Sequence, residues 1–306
     1  MSNLSKPYFH DEQAAYDFVE ARLWPDGPTC PKCGEQKRVG KTNGKTTRIG
    51  LYKCYECKKP FTVKIGTIFE SSHVKMHVWL QAIYMVAGSK KGISSNQLHR
   101  TLGVTLKTAW FMSHRIRLAM HIDDGEQLGS GGGTVEADET FIGSSFKKRA
   151  DDRGYAHKNK VLSFLDREQG RARSMVVDDL RAGTIQPLLK ANVAKDAKLM
   201  TDEAQHYAFA KKHFAQHGTV VHSCGEYVFA FDRSIHTNTI EGFFSVFKRG
   251  MKGVYQHCAH HHLHRYLNEF DFRYNYRVAN GIEDEQRAEI LLNGVKGKRL
   301  TYQTTT

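Results

Sequence analysis

The chain has 306 residues, 40% of them hydrophobic and only six of them proline, enough for about two domains with real cores and unlike a disordered segment. Lysine and arginine exceed aspartate and glutamate by 45 − 32 = 13, and the sequence pI is about 9.4. That balance points to a polyanion, with nucleic acid the usual one. An anionic membrane surface is the rival. No basic amphipathic helix, lipidation signal, secretion leader or run of about 20 apolar residues supports it, so no membrane role is expected.

Residues 9–23 place Ala14, Phe18, Val19 and Leu23 on one side of a short amphipathic helix. CPKCG at 30–34 and CYEC at 54–57 follow, giving C-x2-C-x20-C-x2-C with Gly34 and Lys58-Lys59-Pro60 supplying turns. Two paired thiolates at that spacing match a tetrahedral zinc template, and strand-like runs TRIGLYKC and PFTVKIGTIF complete a zinc ribbon. Cys30, Cys33, Cys54 and Cys57 are therefore expected to hold one structural Zn²⁺ that folds a unit too small for its own core.

From 73 to 121 the pattern is helical. HVWLQAIYMVAG sets Val78, Ala82, Met85 and Val86 on one side and stops at Gly88. A short helix opened by Ser94 or Ser95, a break at 102–104 and a longer helix from Thr105 make a helix-turn-helix candidate. On the longer helix Lys107, Thr108, His114, Arg115 and Arg117 are offered to DNA, with Trp110, Ile116 and Leu118 facing inward; a plain three-helix bundle would show the same outline. DDGEQLGSGGG at 123–133 reads as a flexible joint. The expected division is 1–72, N-terminal helix and zinc ribbon; 73–122, helical DNA-binding segment; 123–133, linker; 134–306, catalytic domain with C-terminal helices.

Beyond the joint the period changes. TVEADETFIG at 134–143 is a strand with Val135, Ala137 and Phe141 on one face and Glu136, Asp138 and Thr140 on the other. VLSFLD and RSMVVDD form a hairpin turning at 168–170; AGTIQPLLKANV is a helix, KLMTDEA a fourth strand, AQHYAFAKKHFAQH a helix and GTVVHS a fifth strand. After YVFAFD comes HTNTIEGFFSVFKRG, whose Ile240, Phe243, Phe244 and Phe247 make an apolar stripe. Asn238, Glu241, Ser245 and Lys248 lie on a different arc. The aromatic helix HHLHRYLNEFDFRYNYR buries Leu263, Tyr266, Leu267 and Phe270, while His260, His264 and Arg265 approach phosphate or solvent. The order implies a mixed α/β sheet covered by helices.

That order sets Asp138 in the first strand, Asp202 at the end of the fourth and Glu241 on the helix after the fifth. If strands one and four are neighbours, three carboxylates converge, which calls for a divalent cation; oxygen ligands favour Mg²⁺ or Mn²⁺. Glu136, Asp178, Asp179 and Glu203 read as solvated or salt-bridging, and Lys147, Lys148 and Arg149 as a basic loop suited equally to phosphate and to solvent.

VEADETFIG, MTDEAQHY and HTNTIEGFFSVFKRGMKGVYQH…HLHRYLNEFDFRYNYR together resemble the DDE catalytic core of bacterial insertion-sequence transposases, and the preceding ribbon and helices resemble the subgroup that carries them. The resemblance implies a ribonuclease H-like α/β fold and a DNA transposase active in recombination. Such an enzyme binds the terminal inverted repeats of its own element and uses magnesium to cleave and transfer strands into target DNA. It implies Asp138, Asp202 and Glu241 as the catalytic, metal-binding acids, and Lys248 near the DNA; Arg249 and Asn238 are further DNA-binding candidates beside it, with Asn238 alternatively orienting Glu241 or capping the helix. Some relatives have Asn at the third acidic position; Glu241 is kept here. A homodimer or larger assembly on double-stranded DNA, and a cytoplasmic, nucleoid-associated bacterial protein, are also implied. The alternative is a non-catalytic DNA-binding regulator derived from a transposase.

Overall fold

The computed structural model describes residues 2–122, 125–144 and 154–301. They divide into two compact units, Met1–Ile122 with Ile282–Thr306, and Asp123–Gly281.

In the first unit α1 (Glu12–Leu23) is capped by Asp11, whose side chain accepts from the Ala14 N–H. It buries Ala15, Tyr16, Val19, Glu20 and Leu23, one step round from the expected stripe, leaving Ala14 and Phe18 half-buried. The ribbon is a small antiparallel sheet of β1 (Val39–Lys41), β2 (Tyr52–Cys54) and β3 (Pro60–Phe61), in that order. TRIG precedes the strand rather than joining it, and β1 is an addition to the sequence reading. Tyr52, Phe61 and two of the cysteines form its core against Trp24.

α2 (Met76–Gly88) buries Trp79, Leu80, Ala82, Ile83, Val86 and Ala87, a wider arc than one stripe because it packs against α1, α3, α4 and α9. Glu12 caps it, accepting from the N–H groups of Met76 and His77 at 2.8 and 3.2 Å. α3 (Ser95–Leu102) starts at Ser94, which caps Gln97, and ends at Gly103, whose left-handed φ of 65° favours a residue without Cβ. α4 (Leu106–Ala119) is capped by Thr105. The helix-break-helix outline is therefore present. The sequence places 282–306 with the catalytic domain, but α9 (Asp284–Asn293) packs on α2, α1 and α4 and buries Leu291 and Leu292 there. Arg22 and Lys6 pair with its Glu289 and Glu285, and the Arg287 guanidinium donates to the Ala87 carbonyl at 3.3 Å.

The second unit is built on a five-stranded mixed sheet in the order β6-β5-β4-β7-β8: β4 (Thr134–Ile142), β5 (Asn159–Asp166), β6 (Arg171–Val177), β7 (Lys198–Thr201) and β8 (Gln216–Thr219). β4, β5 and β6 are antiparallel, whereas β4, β7 and β8 run parallel. The fifth strand thus begins before GTVVHS, and the expected helix at 204–217 is a 3-10 turn plus the four-residue α6 (Ala210–His213). Residues 125–133 are not a free linker. Leu128 is 1% exposed, bridges to Val193 and joins the core, and Gly129 N–H donates to Asp166 at 2.8 Å.

Helices cover both sheet faces. Val135, Ala137, Leu162 and Phe164 pack against Ile185 and Leu189 of α5 (Ala182–Asn192) and Tyr207. On the other face Val161, Leu165 and Ala172 meet α7 (Asn238–Gly250) and α8 (Leu263–Asn275). The expected stripe of α7 is the buried one, and its Phe247 meets Phe270 of α8 edge-on at 5.2 Å between ring centres. Truncating Phe247 to alanine is expected to cost about 3–5 kcal/mol. α7 is thereby fixed over β4 and β5.

Candidate active site and zinc ribbon

The register of the parallel pair β4–β7 brings the first two acids together. Glu136 lies beside Met200, so two residues further along, Asp138 and Asp202 emerge side by side on the same face. β7 ends at Thr201, which leaves the edge of β4 open beyond that point. Around this open edge the neighbouring Glu139, directed by strand alternation to the opposite face, brings a carboxylate oxygen into the group. Oxygens of Asp138, Glu139 and Asp202 all lie within 4.8 Å of one another. Glu139 is held there by His206 Nε2 at 2.7 Å and by the Tyr207 hydroxyl, both bonded to its Oε1.

Such crowding is costly without a cation. Burial, with the charges of Glu139, Asp202 and Glu241, pushes Asp138 up to about 8 against the bond its Oδ1 accepts from the Glu139 N–H. Asp202 is raised as well, by burial first and then by Glu139 and Glu203. An all-oxygen set of half-buried, closely spaced acids fits a divalent hard cation, which Asp138, Glu139 and Asp202 would hold.

Glu241 stands at the rim. It sits in the first turn of α7, and its charge adds to the raising of Asp138, yet it lies outside the 4.8 Å group. Its side chain is 41% exposed and its Oε1 is 3.6 Å from His222 Nε2.

Glu136, read from sequence as a solvated or salt-bridging residue, is fully buried and anchors that helix. One oxygen accepts from Arg167 Nε at 2.6 Å and lies 3.3 Å from His236 Nδ1; the other accepts from the Ile240 N–H in the first turn of α7 at 2.8 Å. Arg167 also donates to the carbonyls of Ser234 and His236 at 2.6 and 2.7 Å. A polar row backs Asp138: Ser163 opposite it on β5 donates to Ser174 on β6 at 2.8 Å, and Ser174 donates to Asp271 of α8 at 2.7 Å.

The expected DNA-binding residues divide. Lys248 is half-buried two turns beyond Glu241, Arg249 is exposed with its Nε on the Ser245 carbonyl, and Asn238 is the exposed first residue of α7. The N-cap is Thr237, so Asn238 does not cap the helix. Lys107 lies on the exposed first turn of α4. Arg115 and Arg117 are not presented at the surface. They are 5% and 1% exposed, and Arg115 donates to the carbonyls of Ile68, Glu70 and Leu300 while Arg117 donates to Ser113. His114 is buried too, because α4 is enclosed on several sides where a recognition helix would leave one open. Lys147 and Lys148 lie outside the described residues.

The four ribbon sulfurs form their own cluster, again within 4.8 Å of one another. A tetrahedral ion with bonds of about 2.3 Å requires sulfur–sulfur edges of about 3.8 Å. Cys30 and Cys57 are 3.7 Å apart, and Cys33 and Cys54 are 3.6 Å apart. The turns after each pair take left-handed conformations, at Gly34 (φ 77°) and Lys58 (φ 57°). Burial raises the Cys30 thiol, but the Lys32 and Cys33 N–H groups overcome it, and its pKa is lowered to about 7. The sulfurs fit structural zinc.

The ISXO2-like transposase domain matches residues 131–275, and the transposase zinc-ribbon domain matches residues 10–60. The chain belongs to the insertion-sequence DDE transposases that carry a zinc ribbon. It is 25% identical over 291 residues to an uncharacterised protein in transposable element ISH50 of Halobacterium salinarum, covering 87% of this chain and 91% of that one. That relative is archaeal, so the likeness does not assign this transposase to bacteria. A simian T-cell lymphotropic virus intasome in complex with PP2A regulatory subunit B56 gamma aligns at 11% identity and TM-score 0.28, over 57% of this chain and 63% of that one. Among the described residues, no helix is long and apolar enough to cross a membrane.

Proposed function

We propose that this transposase binds the terminal inverted repeats of its own element as a dimer or larger assembly, cleaves the DNA there, and joins the freed ends to target DNA with Mg²⁺ or Mn²⁺. The observation that carries this reading is the convergence of Asp138 and Asp202 at the β4–β7 junction, with α7 pinned beside them by Glu136. A bound cation there supplies activation of a water or 3′-hydroxyl nucleophile and stabilises the leaving oxygen. Asp138 and Asp202, with Glu139, would ligate it, and Glu241 on α7 would serve as the third acid from the rim of the same site. His206 and Tyr207 keep Glu139 oriented toward the pair. Lys248 and Arg249 hold backbone phosphate on the outer arc of α7, a contact that positions DNA without reading sequence. Lys107 on α4 and the ribbon serve the repeat. The three acids together favour an enzyme over a regulator.

Purified protein incubated with duplexes that carry or lack the inverted repeats bracketing its gene, in Mg²⁺ or EDTA, tests this. Cleavage confined to repeat-bearing ends and abolished by EDTA is expected. Repeat binding with no cleavage in either Mg²⁺ or Mn²⁺ leaves a regulator, and repeat-independent cutting leaves a general nuclease.

A further inference from the structure

The loop between β8 and α7 carries an aromatic tip that the catalytic reading does not use. Phe231 is 93% exposed, Tyr227 is 59% exposed, and Phe229 lies 5.7 Å from Phe231 between ring centres. Among the described residues no other large hydrophobic side chain is as exposed as Phe231. A phenyl ring left in water on a slack loop would need no explanation, but this loop is not slack. Val228 bridges to His236, the Phe229 N–H donates to the Ile235 carbonyl at 3.0 Å, and Asp232 accepts from the Ser234 N–H and hydroxyl. Ile235 packs so closely on Gly218 of β8 that a Cβ there would fall 2.8 Å from its side chain. Arg167, itself held by Glu136, binds the Ser234 and His236 carbonyls.

One end of the loop reaches Glu241 and the other reaches Glu136, the anchor of the helix that bears it. His222 is 3.6 Å from Glu241, and His236 is 3.3 Å from Glu136. The tip offers one aromatic pair flanked by Asp232, Arg233 and Ser234. The exposed Phe231 ring offers a face that matches the face of one base. We propose that Phe231 is a stacking platform for a nucleobase beside the scissile phosphate, with Arg233 on the adjoining backbone. A ring can meet the face of a base only at a duplex end or an opened step, so the ligand is a base unstacked there.

This inference rests on the transposase reading above, and the test separates the two. The full-length protein is bound to repeat-end duplexes with 5-iododeoxyuridine placed singly along each strand, irradiated, and the cross-linked peptide identified. The cross-link is expected on Phe231 from a position flanking the cleavage point. Phe231→Ala is expected to slow end cleavage about tenfold with little change in duplex affinity or melting temperature, Phe231→Trp to retain the rate, and a mismatch at the cross-linked position to restore Phe231→Ala. Wild-type-like cleavage by Phe231→Ala, cross-links confined to other residues, or a change only in oligomeric state overturns the stacking role. Wild-type protein that cleaves no end overturns the transposase reading, and the cross-link still decides whether Phe231 meets a base.

Discussion

The ribbon and the acidic cluster are both metal-binding arrangements, and they are built in opposite ways. The four sulfurs already cluster within 4.8 Å of one another, 3.6 and 3.7 Å apart across the two knuckles, on turns that include Gly34 and Lys58. A site that closed exists to fold its own segment. Asp138, Glu139 and Asp202 instead stand at the end of a sheet that folds on its own apolar faces, and burial raises the Asp138 and Asp202 carboxyls above their ordinary range. There the fold holds the ligands against their electrostatic preference, the expected condition of a centre meant to act on something else.

The largest effect should come from breaking that second arrangement. Asp138→Asn and Asp202→Asn are expected to lower end cleavage by about a thousandfold or more, since each removes a ligand from the reacting centre, while circular dichroism and repeat affinity stay near wild type. Near-normal cleavage by either variant removes that residue from the catalytic set. The ribbon should respond in the opposite sense. Cys54→Ser should eliminate stoichiometric zinc and loosen the ribbon and its docking on Trp24, with repeat affinity falling at least tenfold. Proteolysis should then cut within residues 25–65 while the 125–281 unit survives. Zinc retained at one equivalent in Cys54→Ser would break the contrast.

The two regions also differed in how much of them could be read. The ribbon ligands were visible because a short spacing fixes them, and α7 because its apolar stripe is a local period. Asp138 and Asp202 needed one tertiary assumption, that β4 and β7 pair, and the sheet order meets it. Glu139 escaped because alternation sends it to the other face, and only the early end of β7 lets it return. The burial of Arg115 and Arg117 is not legible from sequence, because charge at helical spacing does not reveal how many neighbours enclose a helix; the carbonyls of residues 68, 70 and 300 that hold Arg115 lie far from α4 in sequence. The same non-local packing carries α9 into the first unit.

Glu136 sharpens the comparison at a smaller magnitude. It touches no reacting group, and it acts through the Ile240 N–H and Arg167 on the helix that bears Glu241. Glu136→Gln keeps an acceptor for Ile240 but weakens the hold on Arg167, and cleavage is expected to fall about tenfold to a hundredfold in kcat with KM nearly unchanged. Because that loss runs through Glu241, Glu136→Gln in a Glu241→Asp background should add little to the single change. Fully multiplicative losses would show that Glu136 supports something other than the third acid. Faster amide exchange at Ile240, measured on the folded variant, would report the loosened helix directly.

The smallest effect lies in stability and follows from the sign of the Asp138 shift. The folded pKa is raised from 3.8 to about 8, burial being the largest cause, so the cation-free native state binds a proton that the unfolded chain gives up. Stability contributed at this position is therefore complete below about pH 4 and is lost progressively as pH rises to about 8. Asp138→Asn removes the group that must ionise. In EDTA at pH 8 the variant is expected to melt a few degrees above wild type, and at pH 4 at about the same temperature. Adding Mg²⁺ should narrow the gap at pH 8 by stabilising wild type more than Asp138→Asn, since only the wild-type site keeps both aspartates. A variant that melts below wild type at pH 8 in EDTA would mean that the carboxylates are not in conflict, and would remove the electrostatic distinction between this centre and the ribbon.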